Sequence, residues 1–174
     1  MVLFFLTNII YAVMLLVTIP KVMRYSGGMQ LPDMMPTGYS AEYVNELMNT
    51  LGEKGRDAYL YNQIPLDMVY PLLFGITYSL LLAYIMNKLG KSDSVLFFLC
   101  YMPLLACLFD YIENAGIISI LVSYPDNSDL LSQITNIFSI LKSSVTTVYF
   151  IVLIISVIAF FVRLIGIKRK TLNS

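Results

Sequence analysis

The sequence predicts an all-α polytopic membrane protein, a four-transmembrane-helix up-and-down bundle with an amphipathic cap in its first long loop. Hydrophobic residues make up 58% of the 174 residues, charged residues only 13%, and the mean hydropathy is +0.76. A single soluble core could not bury so much apolar surface. Four apolar runs, separated by turn residues and polar segments, divide the chain. We therefore expect one membrane domain over residues 1–174.

Each apolar run is long enough to cross a hydrocarbon core of about 30 Å. The predicted spans cover about residues 2–20, 66–87, 95–122 and 136–162. The first run resembles a signal peptide only in part, because no basic residue precedes it and no small-residue cleavage site occurs before Lys21. We expect it to be a retained helix.

The long connection between the first two spans predicts the cap, over about residues 40–60. Ser40 is a suitable N-cap, and Gly52 is a suitable end for a helix of about three turns. Its apolar residues share one face, and its acidic residues face away. The apolar residues are Tyr43, Val44, Leu47, Met48 and Leu51. Such a helix lies either on the membrane surface or over the mouth of the bundle.

The distribution of basic residues predicts cytoplasmic termini in a plasma or inner membrane. Lys88, Lys91 and the tail Lys168-Arg169-Lys170 fall on one side of a four-span chain. The opposite loop over residues 123–135 is acidic and has no Lys or Arg. Lys21 and Arg24 argue for the reverse orientation.

Composition excludes several classes of function. The chain has no histidine, so the commonest metal ligand and the commonest general base are missing. Cys100 and Cys107 lie about two helical turns apart, too far for a disulfide. The net charge is zero, which excludes a broadly basic nucleic-acid binder. We therefore predict no metal, no cofactor and no nucleic-acid partner. Membrane lipids are the expected partners, and an oligomer is left open.

Charged residues near the ends of the spans converge at one depth. Asp67 lies roughly 30 Å from the cytoplasmic end of its helix, and Asp110 and Glu113 lie roughly 22 and 27 Å from theirs. Lys142 lies roughly 30 Å from its own cytoplasmic end. Antiparallel neighbours bring all four residues to the same outer layer, where charged groups usually face the bundle interior and pair.

This layer predicts the functional site. Asp110 and Glu113, one helical turn apart, are the candidate acid and base. Pro71 and Pro103 free backbone carbonyls in the interior, available to a ligand or to nearby hydroxyl groups. The candidate ligand-binding residues are Arg56, Tyr59, Asp67, Tyr70, Asn114, Lys142 and Tyr149.

Three interpretations of the layer compete. In the first, the layer binds a lipid-like or small amphipathic ligand, with acid–base chemistry as a further option. In the second, it is a structural lock in which Arg56 and Lys142 pair with carboxylates and fix helix packing. In the third, it binds a transported proton or hard cation. If Asp57, beside Arg56, is counted, the layer holds four carboxylates and two cations. If Asp57 is solvated instead, three carboxylates still face the two cations, which leaves one carboxylate without a partner. The excess requires a proton, water or a cationic group.

Several short motifs resemble a family of small uncharacterised four-span integral membrane proteins. They are Gly55-Arg56-x-x-Tyr59-Leu60, Asp67-x-x-Tyr70-Pro71 and Asp110-x-x-Glu113-Asn114, followed by Lys142. The resemblance covers the chain from about residue 52 onward. It implies the four-helix fold and no activity. The sterol-isomerase-like four-span pattern is not matched, because its histidine is missing.

Overall fold

The computed structural model describes residues 1–126 and 128–172, with side chains up to residue 166. Its helices are α1 Val2–Val13, α2 Ile19–Met23, α3 Ala41–Ala58, α4 Ile64–Lys88, α5 Met102–Ser123 and α6 Asp129–Leu172. No strand occurs in the described residues, so the all-α prediction is confirmed. The basic side chains of residues 168–170, used above for orientation, lie outside the described part.

Four helical segments among the described residues are long and apolar enough to cross a membrane. They are Val2–Met23, Ala41–Lys88, Val95–Ser123 and Asp129–Gly166. Their outward faces carry large apolar side chains, such as Leu80, Ile155 and Phe161, each more than half exposed. An apolar surface of this extent suits contact with lipid rather than with water.

The helix that contains the fourth predicted span, 136–162, begins at Asp129, ahead of that span. An acidic residue in the first turn favours this start. Polar residues lower the hydropathy of this first part. Ser132 and Thr135 are nevertheless only 1% exposed, because they face the bundle. The third span opens with a 3-10 segment, Val95–Tyr101, ahead of α5.

Neighbouring helices run antiparallel, as expected for an up-and-down bundle. The first span packs on α4, α4 packs on α5, and α5 packs on α6. The first span and α6 share no comparable interface. Contacts that show the antiparallel order are Thr7–Thr77, Tyr11–Tyr70, Asn114–Asp67 and Lys142–Asp110.

Two wide π-helical turns interrupt the first span and the entry to α4. They cover Met14–Thr18 and Tyr59–Gln63, and each lies just before a proline, Pro20 or Pro65. Proline lacks an amide hydrogen and its ring clashes with the preceding turn, so a wider turn relieves the clash. The two turns meet, because the Thr18 hydroxyl donates a hydrogen bond to Gln63 Oε1.

The cap helix α3 lies over the mouth of the bundle. Its apolar face is buried against residues from the preceding loop and from α5, with Leu47 fully buried. Ser40 caps the helix as predicted, accepting from the Tyr43 amide at 3.1 Å. The helix does not end at Gly52. That residue adopts φ 59°, a kink that only glycine tolerates easily, and the helix continues to Ala58.

Two separate apolar cores hold the ends of the bundle. The first joins α2, the loop after it, α3 and the end of α5. The second joins the end of α4, the start of the third span and the middle of α6, around Leu82 and Tyr149. The polar site described next lies between these two cores.

Candidate functional site

A cavity of about 520 Å³ lies between the first span and α6. Residues Tyr11 to Ile19 form one side and residues Lys142 to Phe150 the other. Helices α4 and α5 form the back wall. The cavity therefore occupies the position at which the fourth interface of a closed bundle would lie.

One end of the cavity is polar and charged. The residues that line it there are Asp33, Gln63, Asp67, Asp110 and Lys142. Lys142 lies within electrostatic range of Asp33, Asp67, Asp110 and Glu113. One ammonium group thus has four carboxyl groups within electrostatic range, and two of them contact it.

Lys142 holds two of these carboxyl groups. Its Nζ lies 3.2 Å from Asp110 Oδ1 and also forms an ion pair with Glu113 Oε2. Glu113 is fully buried, whereas Asp110 reaches the cavity. The lysine therefore points into the bundle, between α5 and α6. These pairs join α5 to α6.

Asp67 and Gln63 retain polar atoms that no described residue satisfies. Asp67 is 4% exposed, and its Oδ2 has no hydrogen-bond partner in the described part of the chain. Gln63 is fully buried, and its Nε2 likewise has no hydrogen-bond partner in the described part of the chain. Unpaired buried polar atoms are costly unless water or a ligand satisfies them. Both side chains line the cavity.

Asp33 joins the cluster from the loop before the cap. The short 3-10 segment Pro32–Met34 places it there, and its Oδ2 accepts a hydrogen bond of 3.0 Å from the Tyr59 hydroxyl. Its Oδ1 is buried with no hydrogen-bond partner among the described residues. Tyr59 itself is fully buried and positions Asp33 without lining the cavity.

The other end of the cavity is aromatic. Tyr70 stacks on Tyr11 with ring centroids 5.3 Å apart, and Phe74 packs against Tyr70 and Tyr78. The ring centroid of Phe150, on α6, lies 5.6 Å from that of Tyr78. The cavity therefore passes from a charged end to an aromatic end.

The structure brings some of the predicted site residues together and separates others. Asp67, Tyr70, Asp110 and Lys142 line the cavity, and Glu113 and Asn114 are fully buried close to it. Asn114 Nδ2 donates to the Asp67 carbonyl at 2.9 Å. Tyr149 does not line the cavity. It is buried in the second core, where its hydroxyl donates to the Tyr78 carbonyl at 2.7 Å.

The expectation that Arg56 neutralises the carboxylates is wrong. Its Nη1 donates to the Met48 carbonyl at 2.8 Å, and its guanidinium lies 4.2 Å from the centre of the Tyr124 ring. Arg56 therefore bonds back within α3, across the kink at Gly52. Asp57 is exposed, as a solvated residue should be.

Sequence reasoning missed Asp33, Gln63 and Tyr39. Asp33 follows a proline in a turn-rich loop, and Gln63 lies in a wide turn ahead of Pro65. Tyr39 is 8% exposed and lies near Glu113 and Asp33, and its amide donates to Asn136 Oδ1 at 2.8 Å. Burial raises the pKa of the Tyr39 phenol above its ordinary value, with Glu113 adding to the effect. The only sequence signal for Gln63 was Pro65, two residues later, which indicates an interruption of the helix.

The arrangement of carboxylates does not form a metal site. Within residues 1–126 and 128–166, no group of three or more histidine, cysteine, aspartate or glutamate side chains is arranged to hold a metal ion. Cys100 and Cys107 are buried and unpaired with each other.

Comparisons of this chain with protein-family models, with curated proteins and with solved structures found no match. The resemblance to small four-span membrane proteins stays a prediction.

Proposed function

We propose that this chain is an integral membrane protein that binds a lipid-like or small amphipathic molecule in the cavity between its first span and α6. One observation carries the proposal: a single cavity joins a charged end, at Asp67 and Asp110, to an aromatic end, at Phe74 and Tyr78. An amphipathic ligand has the same division into a polar head and an apolar tail.

The position of the cavity supports entry from the membrane. Its two side walls, the first span and α6, lack the packed interface that the other neighbouring helices share. Apolar side chains cover the outward faces on both sides, including Leu16 and Ile151. A tail could pass between these helices without crossing a polar barrier.

The carboxyl groups favour binding over acid–base chemistry. Asp110 and Glu113, the candidate acid and base, both contact the Lys142 ammonium, and Glu113 does not line the cavity. An acid–base pair must reach the reacting atoms of its substrate. In this arrangement the two carboxyl groups hold the lysine instead.

A purely structural lock is the competing function, and the ion pairs of Lys142 support it for the interface between α5 and α6. A lock of this kind would satisfy its polar members internally. Asp67 Oδ2 and Gln63 Nε2 have no such partner among the described residues. The lock accounts for the ion pairs of Lys142 with Asp110 and Glu113, and it leaves Asp67 Oδ2 and Gln63 Nε2 to water or a ligand in the cavity.

Filling the cavity tests the proposal. Thr146 lines the cavity from α6, whereas Ile151 lies on the outer face of the same helix. Thr146→Trp should reduce the lipid species that co-purify with the protein by about tenfold or more, because the indole occupies their place. Ile151→Trp, the matched control, should retain them. The measurement is quantitative lipid mass spectrometry on monodisperse protein.

Equal retention of all lipid species by the parent and by both tryptophan variants would contradict a ligand in this cavity. The same result would leave the structural lock as the better account of the charged residues.

A further inference from the structure

The unsatisfied atoms of the cavity indicate the chemistry of the head group. Asp67 Oδ2 and Asp33 Oδ1 are buried acceptors without a hydrogen-bond donor among the described residues, and both carboxyl groups line the cavity. Asp67 is 4% exposed, so bulk water does not satisfy it freely. A complementary ligand group at this position must donate hydrogen bonds.

The charge balance favours a cationic donor over an anionic one. Lys142 is already engaged by Asp110 and Glu113, while Asp33 and Asp67 add two further carboxyl groups within its range. A head group with net negative charge would increase the negative excess, or would have to displace the ion pairs of Lys142. A positively charged head group would reduce the excess and leave those pairs intact.

The walls next to the carboxyl groups also suit a cation. Tyr11 and Tyr70 stack at the mouth of the polar end, and Phe74 lies beyond them. Aromatic faces attract ammonium groups, and the same rings accept an alkyl chain. Gln63 Nε2, a buried donor without a partner in the described residues, suits a hydroxyl or carbonyl oxygen close to the amine.

We infer that the cavity binds the ammonium group of an alkylamine amphiphile, with the ammonium between Asp33 and Asp67 and the chain along the aromatic wall. This inference rests on the proposed function and specifies its ligand class. The ammonium belongs either to a free long-chain amine or to the ethanolamine head group of a membrane lipid, and both present the same donor chemistry.

The test uses three photoactivatable probes with the same alkyl chain and different head groups: a primary amine, a hydroxyl and a carboxylate. The full-length protein is studied in phosphatidylcholine nanodiscs, and labelled peptides are located by mass spectrometry. The amine probe should label cavity residues at concentrations about 10- to 100-fold lower than the hydroxyl probe, because a hydrogen bond between charged partners is stronger. The carboxylate probe should label least.

Charge-removing variants locate the effect. Asp67→Asn keeps the shape of the side chain and should abolish most of the amine preference, while Asp57→Asn, at an exposed position, should leave it unchanged. Asp33→Asn serves as the second variant, since its amide oxygen can still accept from Tyr59. Displacement of the amine probe by phosphatidylethanolamine would assign the ammonium to a lipid, and failure to displace it would assign it to a free amine.

Equal labelling by the three probes would overturn the inference, and so would an amine preference that survives both Asp67→Asn and Asp33→Asn. Either result leaves the cavity as a site for amphipathic molecules. If no probe labels the cavity, the proposed function fails together with the inference.

Discussion

Lys142 joins α5 to α6 through two ion pairs. A lysine at this depth could extend its long side chain towards the head groups. Instead its ammonium lies between Asp110 and Glu113, and its side chain is only 16% exposed. Removing one member of a buried ion pair leaves the other charges without compensation, which usually costs more than removing all the members.

Lys142→Met should destabilise the protein by about 3–5 kcal/mol, because it leaves Asp110 and Glu113 uncompensated. The double variant Lys142→Met with Glu113→Gln should recover part of this loss, since it removes the fully buried carboxylate. Adding Asp110→Asn should recover more. Unfolding of the purified protein in detergent measures the free energies of unfolding, and strictly additive losses would mean that the residues do not interact.

The membership of the charged cluster shows what spacing along single helices misses. Asp67, Asp110, Glu113 and Lys142 lie on helices whose register can be counted, and the structure brings them close together. Asp33 comes from a loop and replaces Asp57 as the fourth carboxyl group. Arg56 lies outside the cluster, because its guanidinium bonds to the Met48 carbonyl and packs on the Tyr124 ring.

At the scale of helices, Pro71 explains the position of Asn114. Proline has no amide hydrogen, so the carbonyl four residues earlier, that of Asp67, loses its helical partner. Asn114 of α5 donates to that carbonyl from Nδ2 at 2.9 Å. The sequence indicated free carbonyls near Pro71, and the structure identifies the side-chain amide that satisfies one. This bond also fixes the backbone of Asp67 beside the cavity.

Asn114→Leu should cost about 1–3 kcal/mol, because the Asp67 carbonyl becomes a buried acceptor without a donor. In a Pro71→Ala background the same change should cost less, since the new amide at position 71 restores the helical bond. A double-mutant cycle by denaturation measures the coupling and cancels effects of Asn114 common to both backgrounds. Ser119→Ala, at an exposed site, is the control. An equal cost in both backgrounds would show that the two residues act independently.

At the scale of the whole molecule, two apolar cores hold the bundle while the layer between them stays open. The first core, which contains the cap helix α3, fixes the first span to α3 and α5, and the second core fixes α4 to α6. Neither core requires the first span to pack along α6. The cavity is thus compatible with a stable bundle. Its charged end includes Asp33, from the loop that precedes the cap helix α3.

The antiparallel order places residues 24–40, 124–126 and 128 at one end of the bundle, and the start of α1 and the described end of α6 at the other. Single cysteines at Thr37, Ser128 and Ser92 test this order, since all three positions are exposed. Ser26 is fully buried and would not report. We expect a membrane-impermeant maleimide to label positions 37 and 128 on intact cells, and position 92 only after permeabilisation.

Native Cys100 and Cys107 are buried, so background labelling should be low, and a variant lacking both measures it. Labelling of only one of positions 37 and 128 would contradict the four-span arrangement. Labelling of position 92 alone would reverse the expected orientation, which rests on basic residues near the termini.

The sequence alone determined the helical class, the four apolar segments and the depth at which Asp67, Asp110, Glu113 and Lys142 would meet. These features follow from local composition and from the fixed rise of a helix. Only the tertiary structure decided that the first span and α6 stay apart, that Asp33 enters the cluster and that Tyr149 belongs to a core. Those outcomes depend on loop paths and side-chain contacts between segments far apart in the chain, which no local pattern encodes.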